Sequence, residues 1–178
     1  LKDTCKVAST FGAKGVIVHG GSVGEGGDIG AGYDNWRKAL EHVEDTGMKV
    51  LVENTAGGKN SVARYMDSIE RLWEVIGHLN VGLCLDTCHT WAGGIPTIDA
   101  VKGFKKLVKK IDLIHFNDSK DGFESSRDRH ENLGKGKIPK EELEYVIKNA
   151  KTDIIVETPN GPDAQKKDIA WIKRRLNK

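Results

Sequence analysis

The chain has 178 residues, with 28 Lys and Arg against 26 Asp and Glu, so its formal net charge is only +2. This balance does not by itself indicate a nucleic-acid-binding protein, although a local basic patch is compatible with it. No apolar run in the sequence approaches the ~20 residues of a membrane span, and an odd number of cysteines, three, favours a reducing cytoplasm over a disulfide framework.

The predicted elements begin with a short helix over residues 5–11, which Gly12 ends. Short runs rich in Val, Ile and Leu then follow along the chain. Near-continuous apolar runs of this kind are typical of strands that are buried on both faces of a parallel sheet. The five predicted strands are residues 15–19, 49–53, 81–86, 112–117 and 153–157.

Between these runs, apolar residues recur at the spacing of amphipathic helices. The stripes are Trp36, Leu40 and Val43; Val62, Tyr65, Met66, Ile69, Leu72, Trp73 and Ile76; Val101, Phe104, Leu107, Val108 and Ile111; Leu143, Val146 and Ile147; and Ile169, Ile172 and Leu176. Alternating strands and helices predict a parallel α/β fold. Because no linker or shift in composition divides the chain, we expect residues 1–178 to form a single domain.

One long irregular stretch interrupts this alternation, from Asp118 to Ile138, and it is polar and rich in glycine. A loop of this length in a compact domain is usually either functional or disordered. The sequence therefore marks this loop as a candidate part of the functional site.

Every predicted strand ends in, or next to, a histidine or a carboxylate: His19, Glu53, Asp86, His115 and Glu157. Side chains alternate along a strand, so each of these residues shares a face with the apolar or small residue two positions before it. We expect that face to point inward and the wholly apolar face to pack on the helices. The carboxyl ends of parallel strands are where α/β folds place their active sites.

Two further pairs add to this set. His89 lies three residues after Asp86, where it is predicted to sit on the turn leaving that strand, and Asp128 and His130 would project to one side of an extended loop. Neighbouring carboxylates repel each other unless a cation lies between them. A mixture of His and carboxylate predicts a zinc, manganese or iron site, in contrast to a structural site of four cysteines.

Several segments resemble the endonuclease IV family of zinc-dependent DNA-repair nucleases. They are residues 52–57 (VENTAG), 84–89 (CLDTCH), 115–120 (HFNDSK), 127–134 (RDRHENLG) and 157–159 (ETP), with a looser match at residues 19–22 (HGGS). The resemblance spans nearly the whole chain, and the motifs occur in the order of the family. The chain is therefore identified as a member of this family.

The resemblance implies a (β/α)8 TIM barrel that holds three zinc ions. The first ion would take His19 and Glu53, and the third would take His89, Asp128 and His130. Glu53 would bridge to the second ion, whose other ligands would be Asp86, His115 and Glu157. The catalytic residues implied are Glu53, Asp86 and Glu157.

The family's reaction is hydrolysis of double-stranded DNA on the 5′ side of an abasic site, which leaves a 3′ hydroxyl. The resemblance therefore implies abasic DNA as the partner, a monomer when full length, a cytoplasmic location and no membrane. The basic residues of the long loop are expected to contact DNA phosphates; they are Lys120, Arg127, Arg129, Lys135 and Lys137.

The sequence departs from the family in the number of strands, since about five of eight βα units are predicted. The remaining strands would precede Leu1 and would include a histidine that completes the first zinc site. We therefore expect an N-terminally incomplete barrel whose first zinc site lacks one ligand.

Two alternatives stay open. Divalent-metal sugar isomerases and epimerases place similar residues at the strand ends of similar barrels. They need one or two metals, so the predicted third ion argues against them. The other alternative is a catalytically inactive fragment that binds DNA or acts as a scaffold, and the presence of all eight candidate ligands argues against it.

Overall fold

The computed structural model describes residues 1–176 and arranges them as an α/β fold. The helices are α1 (Lys2–Thr10), α2 (Ile29–Val43), α3 (Met66–Ile76), α4 (Thr87–Gly93), α5 (Thr97–Leu107), α6 (Lys140–Ala150) and α7 (Gly161–Leu176). The strands are β1 (Val16–His19), β2 (Val50–Glu53), β3 (Val81–Asp86), β4 (Leu113–His115), β5 (Asp118–Ser119), β6 (His130–Glu131) and β7 (Asp153–Ile155). No helix among these residues has the length and apolar character needed to cross a bilayer.

Five of the strands form one parallel sheet in the order β1-β2-β3-β4-β7. The connections between them contain helices α2 to α6, as parallel pairing requires. The register sets His19 opposite Glu53 and Asp86 opposite His115. The parallel α/β fold predicted from the sequence is therefore confirmed, and the polar strand ends lie along one edge of the sheet.

The two faces of the sheet divide as the alternation of side chains predicts. On the outer face, Val52, Leu85 and Ile114 are at most 1% exposed and join one hydrophobic core with the helices. Neighbouring helices pack against each other in the series α2, α3, α5, α6 and α7. The inner face lines an open cavity of about 530 Å³, whose apolar residues are Ile17, Leu51, Leu113 and Ile155.

The sheet is strongly curled. Lys14, just before β1, reaches Asp153 at the start of β7, with 3.2 Å between Nζ and Oδ2. Four strand spacings of ~4.8 Å would hold the edges of a flat sheet about 19 Å apart, which is far beyond the reach of a lysine. The curl brings the carboxyl ends of the strands around a common centre, as in a barrel.

The helix boundaries differ from the predicted apolar stripes in two places. Helix α3 begins at Met66, so Val62 and Tyr65 precede it. Val108 and Ile111 lie beyond the end of α5. Val62 and Ile111 are nevertheless buried, because an apolar stripe reports burial and does not locate the end of a helix.

The prediction that His89 lies on a turn was wrong, because helix α4 follows β3 without a break. Asp86 is both the last residue of β3 and the N-cap of α4, and its Oδ1 accepts the backbone N–H of His89 at 2.7 Å. Gly94, with φ of 94°, follows the helix in the left-handed region that glycine favours. The cap fixes His89 relative to Asp86.

The long loop from Asp118 to Ile138 is organised around one carboxylate. Strands β5 and β6 pair antiparallel within it. The fully buried Asp118 accepts the backbone N–H groups of four loop residues at 2.8 to 3.1 Å, namely Ser119, Gly134, Gly136 and Ile138. The loop is thereby closed on itself at the end of β4, which positions Asp128 and His130.

Candidate metal centre

Four predicted ligands converge at the carboxyl edge of the sheet, and we call Glu53, Asp86, His115 and Glu157 the strand-end set. The first three end their strands, whereas Glu157 lies two residues after β7, which is shorter than the predicted strand 153–157. Each offers an atom within 4.8 Å of those of the other three. His115 lies at the middle of the set, with its Nδ1 2.9 Å from Glu53 Oε1 and 3.1 Å from Glu157 Oε2. Three carboxylates and one imidazole therefore share a small volume.

A second group, the loop set, consists of His89, Asp128 and His130. Asp128 Oδ1 lies 3.0 Å from His89 Nε2 and 3.3 Å from His130 Nε2. The centroids of the two imidazole rings are 5.5 Å apart. Helix α4 and the long loop thus bring together the three side chains that the sequence analysis grouped.

A third group, the edge set, lies on the side of β1. His19 Nε2 is 3.6 Å from Glu53 Oε2, and His89 Nδ1 is 3.5 Å from Glu53 Oε1. His89 Nδ1 also lies 2.9 Å from the carbonyl oxygen of Asn54, a hydrogen bond that fixes this nitrogen as the donor. His89 therefore offers Nε2 to the loop set, so the edge set retains His19 and Glu53.

The centre has a buried floor and an exposed mouth. The side chains of Asp86 and His89 are 0% and 1% exposed, whereas those of His19, Asp128 and Glu157 are 60%, 54% and 43% exposed. A ligand approaching from solvent meets the exposed group first. The buried residues can set geometry without being reached by a large substrate.

Three histidines of the centre, His89, His115 and His130, are stabilised in the protonated form. Burial lowers the pKa of His89, but the nearby carboxylates of Asp86 and Asp128 outweigh burial and raise this pKa to about 10. The pKa values of His115 and His130 are raised by the same opposition of burial and neighbouring carboxylates. In the absence of a metal ion, protons on the imidazoles balance the carboxylate charge.

The pKa values of two carboxylates, Glu53 and Asp128, are shifted downward. Burial acts to raise the pKa of Glu53, but the hydrogen bond from His115 and the nearby histidines hold this pKa below its usual range. The imidazoles of His130 and His89 lower the pKa of Asp128. Glu53 and Asp128 are therefore ionised at neutral pH and available as metal ligands.

The donor atoms fit a metal ion. Among residues 1–176, the buried Nε2 atoms of His89 and His130 have no hydrogen-bond partner. Both nitrogens lie close to Asp128 Oδ1, at 3.0 and 3.3 Å. The oxygen is not aligned with either ring N–H, so neither contact is a hydrogen bond. A buried polar atom without a partner costs roughly 1–3 kcal/mol, and a cation between the three groups removes that cost. Imidazole and carboxylate donors suit zinc, and also manganese or iron.

Two cysteines lie next to the centre, Cys84 beside Glu53 and His115 and Cys88 beside Asp86 and His130. Cys84 and Cys88 are both fully buried. Burial raises the pKa of Cys88 to about 12 and raises that of Cys84 as well. Because the thiolate is the form that binds metals, these raised pKa values argue against either sulfur as a ligand.

Two asparagines beside the ligands were missed by the sequence analysis. Asn54 follows Glu53 directly, and its side chain exchanges two hydrogen bonds with the backbone of Asp86, at 2.8 and 3.1 Å. Asn117 lies two residues after His115. Both lie within two residues of a predicted ligand in the sequence, and this spacing is the signal that could have indicated them.

Basic residues flank the loop set along the chain. Arg129 donates Nε–H to Asp121 Oδ2 at 2.6 Å, and Arg127 lies 3.7 Å from the same carboxylate. Lys120 and Lys135 are exposed. The positive charge next to Asp128 is thus partly balanced by Asp121 and partly exposed to solvent.

Comparison with known proteins finds relatives that match nearly the whole chain. A sequence model of the xylose isomerase-like TIM barrel family matches residues 1–175. The relatives named "Probable endonuclease 4" from Mycobacterium ulcerans and from Mycobacterium bovis BCG are 46% and 48% identical over 177 and 175 residues. These alignments cover 99% and 98% of this chain and 69% and 68% of the relatives.

Solved structures give the same fold. Endonuclease IV from Thermus thermophilus superposes with a TM-score of 0.80 and 28% identity, covering 99% of this chain and 66% of that one. A D-tagatose 3-epimerase-like protein, at 21% identity and a TM-score of 0.75, shares the fold. The chain spans about two thirds of the length of the proteins it resembles.

Proposed function

Because this chain belongs to the endonuclease IV family of xylose isomerase-like TIM barrels, we propose that it acts in DNA repair as a zinc-dependent endonuclease. Its substrate would be double-stranded DNA with an abasic site. The reaction would be hydrolysis of the phosphodiester bond on the 5′ side of that site, leaving a 3′ hydroxyl.

The observation that carries the proposal is the convergence of four histidines and four carboxylates at the carboxyl edge of one parallel sheet. The strand-end set would hold one ion, the loop set a second, and the edge set of His19 and Glu53 a weaker third. When bound, zinc supplies Lewis-acid stabilisation of a phosphate group and acidifies water at neutral pH.

The division of the centre into floor and mouth assigns roles to its residues. Asp86, held by its cap bond to His89, fixes one side of the strand-end set. Glu53 lies between the edge and strand-end sets and orients both. Glu157 is exposed next to His115, so its carboxylate can orient the water that attacks the phosphate and accept a proton from it. In the reaction, water adds to phosphorus, the bond to O3′ of the preceding nucleotide breaks, and that oxygen takes a proton.

The loop set favours a nuclease over a sugar epimerase. An epimerase needs one or two metal ions and a pair of groups that move a proton at carbon. Here His89, Asp128 and His130 form a separate constellation beside the strand-end set, which suits the charge of a phosphate diester.

Metal content and nicking of an apurinic plasmid test the proposal together. We expect the zinc-loaded chain to nick the plasmid, and Asp128→Ala to lose one bound zinc and at least about 100-fold in rate, more than a residue outside the ligand shell typically costs. Asp163→Ala is the matched control, because Asp163 is an exposed carboxylate that pairs with Lys166 in the same helix. Equal zinc content in both variants would remove the loop set from the metal centre.

A further inference from the structure

Asn117 is fully buried two residues beyond His115, where it connects the ends of β3, β4 and β7. Its Nδ2 donates to Asp86 Oδ2 at 2.7 Å. Its Oδ1 accepts the backbone N–H of Glu157 at 2.8 Å. A single amide thus contacts two of the four residues of the strand-end set and follows a third in sequence.

The orientation of this amide is fixed by the chemistry of its partners. A carboxylate can only accept a hydrogen bond and a backbone N–H can only donate one. A flipped amide would therefore place its oxygen against the carboxylate of Asp86 and its NH2 group against the N–H of Glu157. The backbone of Asn117 is held as well, since its N–H donates to Thr87 Oγ1 at 2.9 Å and its carbonyl accepts from the same hydroxyl at 2.6 Å. Asn117 is therefore a rigid link.

Asp86 depends on this link for its orientation. Its Oδ1 accepts the N–H of His89 at 2.7 Å, and its Oδ2 accepts from Asn117. Each oxygen keeps a second lone-pair direction for a cation. Asp86 Oδ2 also lies 3.7 Å from His130 Nε2, which belongs to the loop set. A carboxylate free to turn could pair with that imidazole instead.

We propose that Asn117 is a positioning residue that fixes Asp86 and Glu157, so that the strand-end set binds a divalent ion as one unit. The same amide holds Asp86 Oδ2 at 3.7 Å from His130 Nε2, beyond hydrogen-bond distance, and so keeps the strand-end and loop sets distinct. The inference rests on the proposed function only in that the strand-end set holds a metal. Residues outside the ligand shell that orient ligands typically contribute 10–100-fold in metal affinity.

The test is a titration of the metal-free chain with Co²⁺, followed by its visible absorption. The parent for all variants is Asp128→Ala, so that the loop set does not contribute. In that background Asn117→Ala removes both hydrogen bonds of the side chain. We expect a 10–100-fold loss of Co²⁺ affinity and a changed absorption spectrum.

Two further variants separate positioning from general loss of stability. Val146→Ala in α6 removes packing at a fully buried position of the core, outside the metal centre. We expect it to lower the unfolding temperature without changing Co²⁺ affinity or absorption. Asn117→Asp has the shape of asparagine and keeps an acceptor for the N–H of Glu157, but it places a second carboxylate at Asp86 Oδ2, where the two repel. We expect an altered spectrum for this variant.

Parent-like Co²⁺ affinity and absorption in Asn117→Ala would overturn the inference. Should that variant not fold, the same result in Asn117→Asp would overturn it. These measurements do not read DNA cleavage. A chain that binds Co²⁺ in the expected way but cuts no abasic DNA would contradict the proposed function and leave the role of Asn117 intact.

Discussion

The closure of the long loop around Asp118 makes a prediction whose size follows from the structure. In Asp118→Ala, four backbone N–H groups lose their acceptor, those of Ser119, Gly134, Gly136 and Ile138. A hydrogen bond to a charged group is worth about 1.5–3 kcal/mol, so simple addition would give roughly 6–12 kcal/mol.

Two features of the site reduce that sum. Burial raises the pKa of Asp118 even though the four amides act to lower it, so the bonds do not fully offset the cost of burying the charge. Water can also enter the space that the carboxylate leaves. We therefore expect a loss of about 3–5 kcal/mol in the free energy of unfolding, which is a large part of the total for a single domain.

Urea unfolding measures the loss of global stability, and amide hydrogen exchange measures the local opening of the loop. We expect Gly134, Gly136 and Ile138 to lose protection in Asp118→Ala, while amides in α3 lose it only to the extent of the global change. Asp163→Ala, at an exposed position, is the control. A loss below about 1 kcal/mol, with the three loop amides still protected, would refute the role given to Asp118.

Three further predictions follow from the site and its loop. Glu157→Gln should abolish cleavage of abasic DNA while a mobility-shift assay shows binding within a few-fold of the parent; unchanged turnover would exclude Glu157 from the chemistry. His89 has a folded-state pKa raised to about 10, so the stability that its protonation contributes is fully present below its unfolded-state pKa of about 6.5 and is lost as pH rises toward 10. The unfolding temperature of the metal-free chain should fall over that window, and a flat profile would contradict the prediction. Gly136→Ala should lower stability, because an added Cβ would lie 2.3 Å from Asp118 Oδ1 and 2.4 Å from the Ser119 carbonyl oxygen; a neutral effect in thermal unfolding would contradict this.

The arrangement of the strand ends could be predicted because two simple periodicities determine it. Alternation along each strand selects the inward face, and parallel pairing brings all carboxyl ends to one edge. The prediction that His19, Glu53, Asp86, His115 and Glu157 converge needed no more than this. The structure brings these side chains together, while their role as ligands stays a prediction.

The parts that could not be predicted depend on partners that are distant in sequence or on overlapping signals. Asp118 accepts hydrogen bonds from backbone N–H groups up to 20 residues away in the sequence, and no local sequence pattern predicts such a contact. Helix α4 was missed because Asp86 serves at once as a strand end and as an N-cap, and the apolar pattern of β3 masked the cap. The side-chain amides of Asn54 and Asn117 act across neighbouring strands, so their role emerges only when the sheet is assembled.

The most direct test of the proposed function is incision of a labelled duplex that carries one reduced abasic site, with zinc and with a chelator. The reduced site cannot undergo elimination, so any cut must be hydrolysis of the phosphodiester bond. We predict a zinc-dependent cut on the 5′ side of the site, with a 3′ hydroxyl that a DNA polymerase can extend. No cut by a folded chain shown to have bound zinc, or a cut that the chelator leaves unchanged, would contradict the proposed activity of this chain.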